Sequence, residues 1–195
     1  MSHEPPHSTE PLTKGTVIHA LVAATREIWG EDGLRDVSER LSGETREATL
    51  GATFTSLGWH PTRQILEWNE ALWGGPAAGD DQAFRHVVAR SIELGFGRVR
   101  RVFLSFATPT LLAERATQLW KHDHTHGVLT LDSSAQAEGR AKVALAGHPF
   151  TTTPVSRIAI AEVFRDVLSL SRAKNVVESH AMSGDVLVIS LSWDA

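Results

Sequence analysis

The chain has 195 residues, of which 42% are hydrophobic and 22% are charged. A chain of this length and composition can bury a core without stabilisation by a disulfide or a metal, and the composition excludes global disorder. With 19 basic and 23 acidic residues the formal net charge is −4, so we expect no nucleic-acid partner. The absence of cysteine excludes disulfides, thiolate zinc sites, iron–sulfur clusters and a cysteine nucleophile. No apolar run approaches the roughly 18 residues of a membrane span, and the N-terminus lacks signal-peptide features, so we expect a cytoplasmic protein.

The first two thirds of the chain show helical periodicity. Residues 1–13 are polar and rich in proline, and we predict a disordered tail there, followed by a single domain over 14–195. Apolar residues at three- and four-residue steps predict one helix from Val17 to Gly30 and a second to Leu41. The stretch 44–58 fits both a strand and a helix, and the helical interpretation is favoured. Further helices are predicted over 61–74, 81–103 and 109–127.

After Gly127 the apolar residues alternate, which is typical of strands. Strands over 128–131 and 141–145 form one predicted hairpin, and strands over 175–182 and 186–193 form a second. Gly184 lies in the second turn, where positive φ suits glycine. Thr153 followed by Pro154 predicts the start of a helix between the hairpins. The expected fold class is α+β: an N-terminal helical layer followed by β-β-α-β-β, with an antiparallel four-stranded sheet packed on the helices.

Short motifs accompany this order of elements. They are Lys14-Gly15 at the first helix, Trp59-His60-Pro61 before another, Leu119-Trp120 ten residues after Pro109, and Ser183-Gly184-Asp185 eight residues before Trp193. Together they resemble an uncharacterised myxobacterial paralogous family of the haem-NO-binding-like and vinyl-reductase-like fold group, which also includes the TRAPP tethering subunits. The resemblance extends from about Lys14 to Trp193. With the surplus of apolar helix faces, it implies a homodimer.

The residues depart from the cofactor sites of that fold group. Zinc-binding relatives carry a cysteine on each side of the Gly-Asp turn, and this chain has His180 and Val188 at those places. Haem-binding relatives use a proximal histidine with a Tyr-x-Ser-x-Arg string, whereas this chain contains no tyrosine. We therefore expect no cofactor, with zinc and haem both disfavoured, although a lone histidine ligand to haem stays open.

The stretch from Lys121 to Gly127 holds the densest group of metal-ligand side chains, namely His122, His124 and His126. In a helix the first and last of these share a face, and in a strand all three do, so either structure could ligate a first-row metal. The favoured interpretation is a solvated helix end, where imidazoles face the negative pole of the helix dipole.

Arg98 and Arg101, with Arg100 between them, form a basic group inside a predicted helix. Their guanidinium groups could hold a phosphate or carboxylate ligand. A solvated helix face, paired with nearby acidic residues, is the favoured alternative.

The chain contains six tryptophans, a large number for a protein of this length, and no tyrosine. Trp59, Trp68, Phe103 and Trp120 either line an apolar ligand pocket or fill the core. Helix-spaced aromatic residues more often pack in a core, so both interpretations are kept.

No catalytic motif is present, and we expect a protein that is not an enzyme. The predicted function is a sensory or regulatory module that binds a small apolar ligand or a protein partner. The alternative is a metal- or haem-dependent sensor that uses His122, His124 and His126.

Overall fold

The computed structural model describes the backbone of residues 8–52 and 54–194, and the side chains of these residues except 96–106, 110, 113 and 114. The elements in chain order are β1 (Leu12–Lys14), α1 (Gly15–Arg40), α2 (Gly43–Leu50), β2 (Trp59–Pro61), α3 (Thr62–Gly74), α4 (Asp81–Phe106), α5 (Pro109–Asp123), β3 (Val128–Asp132), β4 (Arg140–Ala146), α6 (Pro154–Ser169), β5 (Lys174–Ser183) and β6 (Val186–Asp194). The α+β fold class is confirmed. None of the described helices combines the length and apolar character that crossing a bilayer requires.

Glycines set two helix boundaries in the N-terminal half. Gly30 has φ 69° and ψ −165° inside α1, so the two predicted helices do meet there, at a residue that takes positive φ without a side-chain clash. The predicted helix over 44–58 is too long, because α2 ends at Leu50. Gly51 caps α2 with an extended backbone while its N–H still bonds the Glu47 carbonyl at 3.0 Å.

The predicted tail over residues 1–13 extends too far into the fold. Leu12 and Thr13 lie in β1 and are 8% and 0% exposed. This strand pairs antiparallel with β2, where Thr13 lies opposite His60. The pairing partner is distant in sequence, so local composition gave no sign of it. Residues 1–7 lie outside the described part of the chain.

Threonine caps followed by proline begin α5 and α6, as predicted. The Thr108 hydroxyl accepts a hydrogen bond from the Leu111 N–H, and Thr153 accepts one from Ser156. Proline at the first helical position costs no hydrogen bond, since that N–H has no partner within the helix. The two caps therefore fix where the helices begin beside the sheet.

The main sheet has the strand order β3-β4-β6-β5, and all its pairs are antiparallel. Its inner face carries buried aliphatic side chains: Leu129, Val143, Leu145, Leu187, Ile189 and Leu191. Helix α6 contacts this sheet through β5 and β6. The two-residue turn between β5 and β6 places Gly184 at φ 62°, which confirms the predicted hairpin.

Replacing Leu187 with alanine tests the assignment of the buried inner face and the outer face of the main sheet. The side chain is 0% exposed on the inner face, so we expect a loss of about 2–5 kcal/mol in the free energy of unfolding, measured by urea denaturation. Val188→Ala is the matched control on the outer face and should cost clearly less. Equal losses for both variants would contradict the assigned faces.

A buried charge cluster joins α4, α6 and β5. Glu162 is 0% exposed, and its Oε2 accepts a hydrogen bond of 2.9 Å from Arg85, which also binds Glu178. Arg165 Nη2 lies 2.5 Å from Glu162 Oε1 but outside hydrogen-bond geometry, so that oxygen has no hydrogen-bond partner among the described residues. Burial raises the pKa of Glu162 above its ordinary value, and the nearby Asp166 carboxylate raises it further, against the opposing effect of the two arginines.

The Glu162→Gln variant should gain stability relative to the parent protein as the pH rises. Because the pKa of Glu162 is raised in the folded state, its stabilisation is complete below the unfolded-state pKa and is lost as the pH rises through the folded-state pKa. Glutamine cannot ionise and avoids this loss. Thermal unfolding followed across acidic to mildly alkaline pH should show the difference in Tm growing with pH, while the exposed control Glu39→Gln should show a flat difference. A difference that shrinks with rising pH would refute the prediction.

Candidate functional site

A cavity of about 500 Å³ lies between the helices and the inner face of the sheet. Most of its wall is aliphatic or aromatic, with contributions from Leu21 of α1, Val88 of α4, Leu112 of α5, Ile160 of α6, and Val143 and Leu191 of the sheet. Both its volume and its apolar lining are typical of small-molecule and cofactor sites. The described polar residues in the wall include Asn69, Ser91 and Gln136, together with His122, Asp123 and His124 at the end of α5.

His124 is fixed where α5 ends. Its backbone turns extended while its N–H still bonds the Trp120 carbonyl at 2.9 Å. The ring Nδ1 lies 3.1 Å from the hydroxyl of Thr13, which lies 2.9 Å from the hydroxyl of Thr62. Both threonines are 0% exposed, so these hydrogen bonds are shielded from water.

Backbone hydrogen bonds hold the N-terminal segment against the end of α5. The Leu12 N–H donates to the Thr125 hydroxyl at 2.9 Å, and the Thr125 N–H donates to the Leu12 carbonyl at 3.0 Å. On the other side, the Thr62 N–H bonds the Pro11 carbonyl at 2.8 Å. Strand β1 therefore ties α3 and α5 together beside the cavity.

Three rings pack around His124. The imidazole stacks on Trp120 with centroids 4.0 Å apart, and it meets His148 and Phe150 edge to face at 5.1 and 5.6 Å. His148 is 3% exposed, and its Nδ1 accepts a hydrogen bond from the Phe150 N–H at 3.2 Å. Its Nε2 is buried without a hydrogen-bond partner in the described part of the chain. The rings come from α5 and its C-cap and from the segment that precedes α6.

Both imidazoles of this cluster are neutral at physiological pH. Burial lowers the pKa of His124 well below its usual value, and the nearby His148 lowers it further. Burial also lowers the pKa of His148 to about 3, with a smaller contribution from His126. A neutral imidazole keeps a lone pair that can ligate a metal.

The hydroxyl of Thr13 can select the tautomer of His124. Its oxygen can accept Nδ1–H of the ring while its own proton goes to Thr62. That arrangement leaves the Nε2 lone pair of His124 free. Hydrogen bonds of this kind orient metal-ligating histidines in proteins.

The histidines at 122, 124 and 126 do not converge on one point. His122 is exposed and bonds Asp123 at 2.8 Å, whereas the ring of His126 bonds the Thr125 hydroxyl at 2.8 Å. No group of three or more potential metal-ligand side chains exists among the described residues. Of the three, His122 and His124 line the cavity, and only His124 has a ring held by buried partners.

The predicted pocket residues separate into wall and core. Trp120 lines the cavity, and its indole N–H donates to the His126 carbonyl at 3.1 Å. Trp68 is 0% exposed and does not line the cavity, because its indole faces α2 and donates to the Thr49 hydroxyl at 3.0 Å. Trp59 also lies away from the cavity, with Lys14 Nζ 4.2 Å from its ring centroid. The side chain of Phe103 lies outside the described part of the chain.

The remaining predictions concern the arginines at 98 and 101 and the residues His180 and Val188 beside the last turn. The side chains of Arg98 and Arg101, the anion-contact residues, also lie outside the described part, so that hypothesis stays a prediction. His180 lies opposite Ile189 in the β5–β6 register, and Val188 pairs with Ala181. The ring of His180 bonds Glu178 at 3.2 Å.

Sequence reasoning missed Thr13, Thr62, His148 and Phe150. Thr13 was assigned to the tail, and its contacts lie 49 and 111 residues away along the chain. His148 carried one usable signal, since it stands directly before Pro149 and caps a short 3-10 turn. No local pattern places that ring against Trp120.

The fold is shared with solved H-NOX structures. The Fe(II) unliganded H-NOX protein from K. algicida is similar with a TM-score of 0.63 and 10% identity, covering 93% of this chain and 97% of that one. An H-NOX protein from S. oneidensis in the Fe(II)NO state has a TM-score of 0.63 and 9% identity, and the match covers 93% of this chain and 99% of that one. An oxygen-binding H-NOX domain related to soluble guanylate cyclases, in its oxygen complex, has a TM-score of 0.62 and 10% identity. That match covers 93% of this chain and 95% of the domain. No family model and no curated protein matches the chain.

These comparisons confirm a haem-NO-binding-like fold, and they give no support to the myxobacterial paralogous family. The prediction of no cofactor is wrong. Further structures of this fold, at TM-scores of 0.62 and 0.57, are described as modulating haem redox potential through porphyrin distortion and as probing haem distortion in the H-NOX family. The prediction of no cofactor rested on the missing cysteines and on the missing tyrosine string.

Substituting Thr13 with valine tests the buried hydrogen bonds to His124. Valine keeps the shape but leaves the Thr62 hydroxyl and His124 Nδ1 without this partner, so we expect a loss of about 1–3 kcal/mol in the free energy of unfolding. Urea denaturation measures the loss. Thr130→Val, an exposed position in β3, is the matched control and should change stability by less than about 0.5 kcal/mol. A neutral result for Thr13→Val would show that the hydrogen bonds do not stabilise the fold.

Proposed function

We propose that the chain is a sensory module that binds haem in the cavity, where the imidazole of His124 would ligate the iron. The observation that carries the proposal is the imidazole of His124 in an otherwise mostly apolar wall, with its Nδ1 held by Thr13. The shared fold with H-NOX structures supports the same conclusion. The sequence contains no catalytic motif, and the proposal assigns no reaction.

The residues present fit a haem group by their chemistry. The aliphatic wall suits the porphyrin faces, and one neutral imidazole matches the ligand set of haem sensors. None of the described residues that line the cavity is a lysine or arginine, so the propionates would be hydrated at the open side of the cavity. Bound iron would supply a coordination position for a diatomic gas.

The protein's own residues prepare this site before any ligand enters. Thr13 holds the ring of His124 in one orientation, and the stacking of Trp120 restricts its rotation. Burial keeps the ring unprotonated, which removes the competition between a proton and a metal. The aliphatic side chains of α4, α6 and the sheet exclude water from the far wall.

Haem titration of the purified chain, followed by the Soret band, tests the proposal. We expect His124→Gly to weaken haem binding by roughly 10- to 100-fold or to abolish the axial-imidazole spectrum. Free imidazole should restore that spectrum in the glycine variant, because the cavity left by the ring can hold it.

His126→Gly and His19→Gly are the controls for this titration. Neither residue lines the cavity and His19 is exposed, so both variants should bind haem like the parent protein. The proposal fails when His124→Gly retains the parent spectrum, or when either control loses it instead.

A small apolar ligand is the second candidate, because the cavity wall is mostly carbon. In that case an apolar dye would bind saturably and quench the fluorescence of Trp120, and haem would give no axial-imidazole spectrum. The titration therefore distinguishes the two candidates.

A further inference from the structure

Strand β5 forms an open edge of the main sheet. It is ten residues long and pairs only with β6 among the described elements. The opposite edge, β3, has five residues and contacts α5. A long open edge presents unpaired backbone groups to another chain.

The hairpin register shows which backbone groups of β5 face outward. Ser183 and Val186 flank a two-residue turn and are therefore a hydrogen-bonded pair. Hydrogen-bonded and non-hydrogen-bonded pairs alternate from there, so the N–H and C=O groups of Glu178, His180 and Met182 point away from β6.

Lys174 and the register shift before Val177 protect only the start of β5 against pairing. Farther along the strand, the inward-facing Glu178 is a third protective feature, and its charge is balanced by Arg85. The stretch from Val176 to Ser183 contains no lysine and no proline. Val177 is 61% exposed and Met182 is 37% exposed, although both are large apolar residues.

We propose that two copies of this chain pair antiparallel through β5, with the two-fold axis at Ser179. In this register Glu178 of one copy, which already binds Arg85 and its own His180, lies opposite His180 of the other, so a carboxylate faces an imidazole twice. Val177 then lies opposite Ala181, and Val176 opposite Met182, so each exposed apolar residue gains an apolar partner. The result is a continuous eight-stranded sheet.

The two neighbouring registers of the β5 pair place charged residues less favourably opposite each other. A two-residue shift in one direction places Glu178 opposite Glu178, a like-charge pair that destabilises a strand pair. The opposite shift places His180 against His180 and Glu178 against Met182, which loses both carboxylate–imidazole pairs. Charge complementarity thus selects the axis at Ser179. This inference does not depend on haem binding.

Cysteine cross-linking tests both the dimer and its register. The chain has no cysteine, so any disulfide reports the introduced residue. On the axis, the two copies of Ser179→Cys form a non-hydrogen-bonded pair with Cβ atoms about 4.5–5.5 Å apart, close enough for a disulfide after a small shift. Ser190→Cys is the matched control, on the same sheet face in β6 and away from the axis. We expect a disulfide-linked dimer for Ser179→Cys and none for Ser190→Cys.

Sedimentation of the parent protein and of two lysine variants, Ser179→Lys and Ser190→Lys, completes the test. The parent should sediment as a dimer at tens of micromolar. Ser179→Lys places like charges directly opposite each other and should raise the dissociation constant roughly five- to tenfold, whereas Ser190→Lys should not. Circular dichroism of both variants checks that they fold. A monomeric parent, or cross-linking of Ser190→Cys as fast as Ser179→Cys, would overturn the proposal.

Discussion

The hydrogen-bonded chain from Thr62 through Thr13 to His124 is the contact on which the site depends. It joins the start of α3, the N-terminal strand and the end of α5, three segments that are distant in sequence. Because both hydroxyls are buried, the hydrogen bonds cannot be exchanged for water at low cost. The end of α5 is therefore held at the cavity, and with it the two wall residues Trp120 and His124.

The ring cluster around His124 follows from that anchoring. Once Thr13 fixes the imidazole, Trp120 stacks on one face and the edge contacts of His148 and Phe150 complete the packing. The cost of this arrangement is His148 Nε2, a buried nitrogen without a hydrogen-bond partner among the described residues. Of the two buried imidazoles, only that of His124 lines the cavity, and burial lowers its pKa so that the ring is unprotonated there.

Local signals in the sequence predicted most of the fold and little of the site. The threonine–proline starts of α5 and α6, the break at Gly30 and the Gly184 turn are properties of a few adjacent residues, and all were found. The order of helices and strands along the chain and the fold class followed from the two periodicities, whereas the order of the strands within the sheet was not predicted. The direction in which a ring points depends on its neighbours in space, so the sequence left Trp68 open between cavity wall and core, and the structure places it in the core facing α2. For the same reason, Thr13 was placed in a tail, and His148 went unnoticed.

The buried charge cluster links the cavity helices to the open edge of the sheet. Arg85 of α4 binds Glu162 of α6 and Glu178 of β5 at once, and α4 and α6 both contribute to the cavity wall. Breaking one partner of a buried ion pair costs several kcal/mol, typically about 3–5. Arg85 therefore adds an ionic link to the direct packing of α6 against β5. The helices of the cavity wall and the strand with the unpaired edge are joined by both kinds of contact.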